Sequence, residues 1–257
     1  MLARVGVTLG GQRFEAQLPV PDGPARPRDL LPAARQLTEA IVGRAVEQGG
    51  AAISCRKGCG ACCRQVVPVS QPEARALSDV VERLPAPRRA VVQARFSAAR
   101  ERLESSGLMS RLQWPGEMTD AERQALAVDY FRLGIACPFL EDEACSIYAD
   151  RPLVCREYLV TTPAENCAVP TQAPVTRVPL PGRMSLALGQ LEPTTRERGA
   201  WWMPLINAPF WTAAHPDEPA RQQPLDPLRK LLNWLAETSV IGQPRPVASG
   251  PGGMEPH

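Results

Sequence analysis

Histidine is almost absent. The 257-residue chain holds two, His215 and His257, and both fall outside the cysteine-bearing segments, so imidazole contributes little to any metal site. No nucleophile–base set and no carboxylate pair stands out, which leaves ordinary hydrolytic chemistry without a candidate. Nowhere do 18 apolar residues run together, so no membrane span is expected. The first twenty residues lack a basic start, an apolar run and a small-residue cleavage site, so no secretory leader is read and a cytoplasmic location is expected. The formal net charge is +2 with no long basic block, which gives no case for nucleic-acid binding. No internal repeat is visible, and any protein partner is left unnamed.

Against these absences stands cysteine, with eight residues. Cys55, Cys59, Cys62 and Cys63 form the run C-x3-C-x2-C-C, and Cys137, Cys145, Cys155 and Cys167 follow after a long gap. Stable disulfides are uncommon in a reducing compartment, where dense cysteine points to metal or to catalysis. Thiolates this close repel one another unless a cation joins them, and sulfur donors suit zinc, Cu(I) or an iron–sulfur cluster. All eight are therefore ligand candidates, enough for two four-sulfur sites or for one site with spares. Zinc and an iron–sulfur cluster both accept four thiolates. The compressed first loop and Cys137-Pro138 tilt the choice toward a cluster.

Three other readings fit the cysteines less well. Buried free thiols account for a single residue such as Cys167 better than for the set. A redox dithiol at Cys59 and Cys62 lacks the strand-then-helix setting such motifs use. The spacing Cys55-x3-Cys59-x2-Cys62 also occurs in radical S-adenosylmethionine enzymes, yet this chain shows no strand–helix alternation.

The remaining pattern predicts a mainly α protein. It comprises a small α-rich, metal-stapled domain, an N-terminal β-hairpin, and a long irregular Pro-rich C-terminal segment. Residues 4–18 alternate around Gly10-Gly11, a hairpin signal. A helix is expected over 30–47, capped by Asp29. Others follow from Ser70, with Glu73 completing a capping box, over 88–105, and from Thr119 with Glu122. Asp150 is a candidate N-cap for a short helix carrying Cys155. Trp114-Pro115-Gly116 reads as a turn, 163–219 as irregular, Met184–Leu188 as a strand, and Asp226-Pro227 as a helix start. The expected division is 1–29 hairpin and connector, 30–170 cysteine domain, 171–240 wrap-around segment with a helix, and 241–257 a disordered tail.

Cys55-x3-Cys59-x2-Cys62-Cys63, Cys137-Pro138-Phe139-Leu140, Cys145-Ser146-Ile147-Tyr148 and Arg151-Pro152-x2-Cys155-Arg156 together resemble the YkgJ-like cysteine-cluster (CxxCxxCC) family, whose members are described as chelators of zinc or iron. The resemblance covers about 50–170 and implies a small metal-binding domain. Around the cysteines, Arg56, Lys57, Arg64 and Arg156 would offset thiolate charge or hold a bound group. Tyr148 and Arg151 would brace their loop. Asp142, Glu143 and Glu157 would be solvated surface, or oxygen ligands in an iron site. Trp201, Trp202 and Trp211 would anchor coil to the core, or form a lid or partner surface. Two classes of function remain. One is a non-enzymatic metal protein, including a purely structural zinc-binding interaction module. The other is an iron–sulfur enzyme or electron-transfer protein with an open cluster site.

Overall fold

The computed structural model describes residues 1–112, 118–169, 173–191, 202–217 and 225–241. The turn expected at Trp114-Pro115-Gly116, Trp201, His257 and nearly all of the expected disordered tail lie outside these residues.

The hairpin forms as expected. Strands β1 (Leu2–Leu9) and β2 (Gln12–Pro19) pair antiparallel, with Val7 opposite Phe14. Gly10 and Gly11 turn between them at φ of 54° and 79°, a backbone that side-chain-bearing residues rarely adopt. The period-2 pattern buries Val7, Leu9, Phe14 and Leu18 on one face. An isolated hairpin is marginal, so this face needs a cover. The cover is helix α1 (Leu31–Gly49), through its stripe Ala34, Leu37 and Ile41. Each fully buried leucine here contributes about 2 kcal/mol of transfer free energy. Gly50, at φ 62°, ends α1. Asp29 does not cap α1. Its carboxylate accepts from Arg26 N at 2.9 Å and closes a short 3-10 turn, Pro27–Leu30, that feeds into the helix.

Helices α2 (Gln71–Arg83) and α3 (Ala86–Ser105) form a second core around Leu77, Val80, Val92 and Phe96. Phe139 packs edge-on against Phe96, ring centroids 5.4 Å apart, and brings the second cysteine segment onto this core. Helices α4 (Leu108–Leu112) and α5 (Asp120–Arg132) close a third core with the end of α3. The capping boxes expected at Ser70/Glu73 and Thr119/Glu122 are both present.

Two expectations for the later chain are corrected. Met184–Leu188 is not a strand but most of a short helix, Met184–Gly189. Its start is held by a carboxylate from elsewhere, Glu157, which accepts from Ser185 N at 2.9 Å and Ser185 Oγ at 2.6 Å. The described residues of the stretch 163–219 are also less irregular than expected. Trp202–Pro204 pairs antiparallel with Pro68–Ser70, and a helix spans Ala208–Ala214. The last described helix, Leu225–Ile241, lays Leu228, Leu231 and Leu235 into the first core beside the hairpin. Among the described residues no helix is long and apolar enough to cross a membrane.

Candidate metal centre

The two cysteine-bearing segments come together beside the second core, against which Cys137 and Cys145 pack. The first segment is anchored at its start, where Ser54 N donates to Val160 O at 3.0 Å and Ser54 Oγ to Thr161 O at 3.2 Å. Gly58 turns it at φ 85°, and Ala61–Arg64 forms one 3-10 turn carrying Cys62 and Cys63. The second segment joins it directly, with Cys137 N donating to Cys63 O at 2.7 Å.

Cys145 sits on a two-residue hairpin, Leu140–Glu141 against Ala144–Cys145. Its turn residues Asp142 and Glu143 have φ of 48° and 56°. Gly60 passes so close to this turn that a Cβ there would lie 2.6 Å from Glu143 Oε2 and 2.7 Å from Leu140 Cδ1. Cys155 rides on a one-turn helix, Leu153–Glu157. Asp150 does not cap that helix. Its carboxylate accepts from Arg35 at 2.9 Å, and Leu153 N instead donates to Glu73 Oε1 at 2.8 Å. Cys167 lies on the 3-10 turn Ala164–Ala168, and its carbonyl accepts from Gln65 Nε2 at 3.4 Å.

Cys62 is coupled electrostatically to Cys63, Cys55, Cys137, Cys145, Cys155 and Cys167. Cys59 in turn reaches Cys55 and Cys167. The thiol–thiol hydrogen bond to Cys63, then burial, pushes Cys62 far up. Burial pushes Cys137 up to about 12 and Cys155 well above its ordinary value. Cys55, Cys145 and Cys167 are raised for the same first reason. Neutral thiols crowded this way are a high-energy setting for ionised sulfur unless a cation arrives.

Several features work the other way and favour thiolate. Backbone N–H groups of Val160, Phe139 and Ile147 donate to Cys55, Cys137 and Cys145, and the Tyr158 hydroxyl donates to Cys167. In Cys137-Pro138-Phe139 and Cys145-Ser146-Ile147 the donor is two residues past the sulfur, so each turn aims its own N–H at its own thiol. Arg151 also lowers Cys55, Cys62 and Cys145. Its guanidinium sits 4.1 Å above the Tyr148 ring, and its buried Nε has no hydrogen-bond partner.

The donors therefore fit a soft metal by type, since they are sulfur, sheltered and flanked by N–H groups. They do not fit by geometry. Among the described residues no group of three or more Cys, His, Asp or Glu side chains is arranged to hold a metal ion.

The arginines singled out from sequence have carboxylate partners. Arg56 pairs with Glu165 at 3.3 Å, well exposed, and Arg64 with Glu143, half-exposed. Arg156 is buried, pairs with Glu39 at 2.6 Å, and donates to the carbonyls of Ala149 and Arg151. Its reach to the site is indirect, through the turn that carries Arg151. Asp142 and Glu143 are exposed, whereas Glu157 is buried rather than solvated surface. Trp211 stacks on His215 at 4.6 Å with Arg75 over its ring at 4.8 Å, and Trp202 packs on the third core.

Sequence reasoning missed the second role of Glu73, which caps α2 with one oxygen and the Cys155 helix with the other. Nothing near Leu153 in the sequence signals a partner eighty residues away. The electrostatic role of Arg151 had a signal in its place four residues before Cys155.

A depression of about 380 Å³ opens beside Cys59, with Gly58, Gly60 and Ala61 along it and the Arg56–Glu165 and Arg64–Glu143 pairs at its rim. Residues 54–172 match the model of a family described as "CxxCxxCC: Putative zinc- or iron-chelating domain". No curated protein and no solved structure matches the chain.

Proposed function

We propose, from the premise that residues 54–172 belong to the CxxCxxCC family, that this chain binds zinc or an iron–sulfur cluster through its gathered cysteines. The candidate ligands are Cys55, Cys59, Cys62, Cys63, Cys137, Cys145, Cys155 and Cys167. What supports the reading is the family match over residues 54–172 together with the hydrogen bond from Cys137 N to Cys63 O at 2.7 Å, which joins the two cysteine segments.

Burial favours the neutral form of Cys55, Cys137, Cys145, Cys155 and Cys167, so ligation by these residues would require them to lose their protons. Bound zinc would supply a structural staple, and a cluster would supply an electron carrier. In either case the N–H groups of Phe139 and Ile147 orient sulfur, and Arg151 offsets thiolate charge.

A non-enzymatic metal-binding module is the first reading. The depression beside Cys59 favours the second, an iron–sulfur enzyme or electron-transfer protein with one side of the centre open to solvent. Anaerobic purification followed by a visible spectrum, metal analysis and acid-labile sulfide on one sample tests both. Brown protein with iron and sulfide supports the cluster, and colourless protein with stoichiometric zinc supports the staple. Metal-free protein that resists protease as well as any reconstituted sample overturns both.

A further inference from the structure

The depression beside Cys59 has a chemical character of its own. Arg56 and Glu165 stand on its rim as one exposed ion pair, Arg64 and Glu143 as another. Exposed pairs are worth little to the fold, so their cost to a ligand that replaces them is also small.

The pairs differ in how much they hold in reserve. Arg64 uses Nη1 for Gly60 O and Glu143 Oε2, and Nη2 for Glu143 Oε1. Arg56 gives its carboxylate partner a single contact, Nη2 to Glu165 Oε1 at 3.3 Å. A guanidinium carries five N–H donors in a planar fork, so Arg56 can still offer a two-pronged grip to a carboxylate. The glycines at 58 and 60 put no side chain in its way, and a Cβ at position 60 would meet the Glu143 carboxylate at 2.6 Å. At about 380 Å³ the space falls within the range of small-molecule sites.

The signs on the rim select the ligand. Two guanidinium groups and two carboxylates sum to zero. A simple anion gains from Arg56 but faces Glu143 and Glu165, and a simple cation meets the reverse. A molecule carrying both charges a few bonds apart satisfies both ends. The geometry points to a binding site for a small zwitterion of the α-amino-acid class, its carboxylate on Arg56 and its ammonium on a rim carboxylate, seated next to Cys59. The inference deepens the metal-binding reading by naming what approaches the centre, and it rests on that reading only for the centre itself.

The test is ligand-observed saturation-transfer NMR on the full chain, purified anaerobically, with metal content measured on the same sample. The probes are L-serine, acetate and methylamine. L-serine is expected to receive transfer, and acetate and methylamine much less. Arg56→Gln should weaken L-serine binding about tenfold, the loss of one charge-assisted contact, while metal content stays unchanged. Arg13→Gln, an exposed arginine on the hairpin paired with Glu15, should leave binding as it was.

No transfer to L-serine on metal-replete protein overturns the site and leaves the metal reading standing. Acetate binding as tightly as L-serine overturns the zwitterion assignment. L-serine binding that survives Arg56→Gln overturns the placement. Binding of L-serine by protein that never holds metal supports the site and removes the metal reading.

Discussion

Arg64 and Glu143 form a two-armed ion pair, Nη1 to Oε2 at 2.9 Å and Nη2 to Oε1 at 2.5 Å, that fastens the first cysteine loop to the hairpin bearing Cys145. Beneath it a Cβ at position 60 would lie 2.6 Å from Glu143 Oε2, 2.7 Å from Leu140 Cδ1 and 3.2 Å from Glu143 Cα, so both side chains must move to admit one. The pair is half-exposed and contributes at most about 1 kcal/mol. The closeness of the two loops is the larger effect. Gly60→Ala should displace the Glu143 carboxylate and the Leu140 side chain, cost about 1–3 kcal/mol by overpacking, and lower metal content. Arg64→Ala should cost less than Gly60→Ala. Urea unfolding of both variants, with metal analysis, checks the order, and an Arg64→Ala loss larger than the Gly60→Ala loss would reverse the argument.

Glu73 is the fixed point behind Cys155. One oxygen accepts from Ser70 N at 3.0 Å and Ser70 Oγ at 2.7 Å, the other from Leu153 N at 2.8 Å, all in the interior. Glu73→Ala strands two buried N–H groups at two helix starts, a loss of about 2–4 kcal/mol. Glu73→Gln keeps one carbonyl acceptor and should fall between. Because Leu153 N leads the turn carrying Cys155, both variants should also lose metal faster to a chelator. Thermal melting and chelator-exchange rates would show this, and an Ala variant as stable as the parent would sink the double-cap role.

How much of this was legible follows the range of each interaction. Gly10-Gly11, the leucine stripe of α1 and the Ser70–Glu73 box are local, and the sequence displays them within a few residues. The cysteine spacings and the flanking Arg151-Pro152 also identify the domain. What was not legible depends on partners far away. Glu157 looked like surface because nothing near it reveals Ser185, and Met184–Leu188 looked extended because the carboxylate that starts its helix comes from Glu157. Asp150 and Asp29 are both plausible N-caps by pattern, yet arginines claim them. Short polar side chains near a helix start compete for several partners, and tertiary context decides among them.

Asp217 ties the segment after the Ala208–Ala214 helix to the body of the protein. Arg28 Nε approaches it at 3.0 Å, Arg26 Nη1 at 3.1 Å and Arg75 Nε at 3.4 Å. Arg75 is largely buried and also donates to His215 O at 2.6 Å. Asp217→Ala leaves three guanidinium groups near one another, of which Arg26 keeps Asp29 and Arg28 keeps Asp79 while Arg75 loses its carboxylate. The expected loss is about 1–3 kcal/mol, shrinking as salt is raised. Urea unfolding at low and high salt measures it, and a loss independent of salt would point to packing instead.

Metal uptake should depend strongly on pH. Burial and neighbouring thiols raise Cys55, Cys62, Cys137, Cys145, Cys155 and Cys167, so these groups enter the reaction protonated and leave it as thiolates. Apparent affinity for zinc should rise steadily with pH, with more than one proton released per ion. A zinc titration of metal-free protein in lightly buffered solution, read with a pH indicator, counts the protons. Arg151→Gln removes a cation that favours thiolate and should shift the whole profile toward higher pH. A pH-independent affinity would remove the thiols from the site.

Glu157 sets a second, separate pH dependence. Burial raises its carboxyl from an ordinary value of 4.5 to about 7, and the two hydrogen bonds from Ser185 only partly oppose the shift. The folded state therefore holds this proton more tightly than the unfolded chain does. Its contribution is fully present below about pH 4.5, falls as pH rises through about 7, and is then constant. The total loss is on the order of 3 kcal/mol at about 1.4 kcal/mol per unit. Glu157→Gln cannot ionise, so its unfolding curve should lack this slope. The variant should be relatively less destabilised, or more stable, than the parent above pH 7. Ser185→Ala removes a hydrogen bond that favours the charged form and should extend the fall to higher pH, since one proton sets the same limiting slope. Because the thiols also titrate, the informative quantity is the difference between Glu157→Gln and the parent, measured on metal-free protein across this range. Parallel curves would mean that Glu157 is ionised in the folded state well below neutrality, and that its contact with Ser185 outweighs its burial.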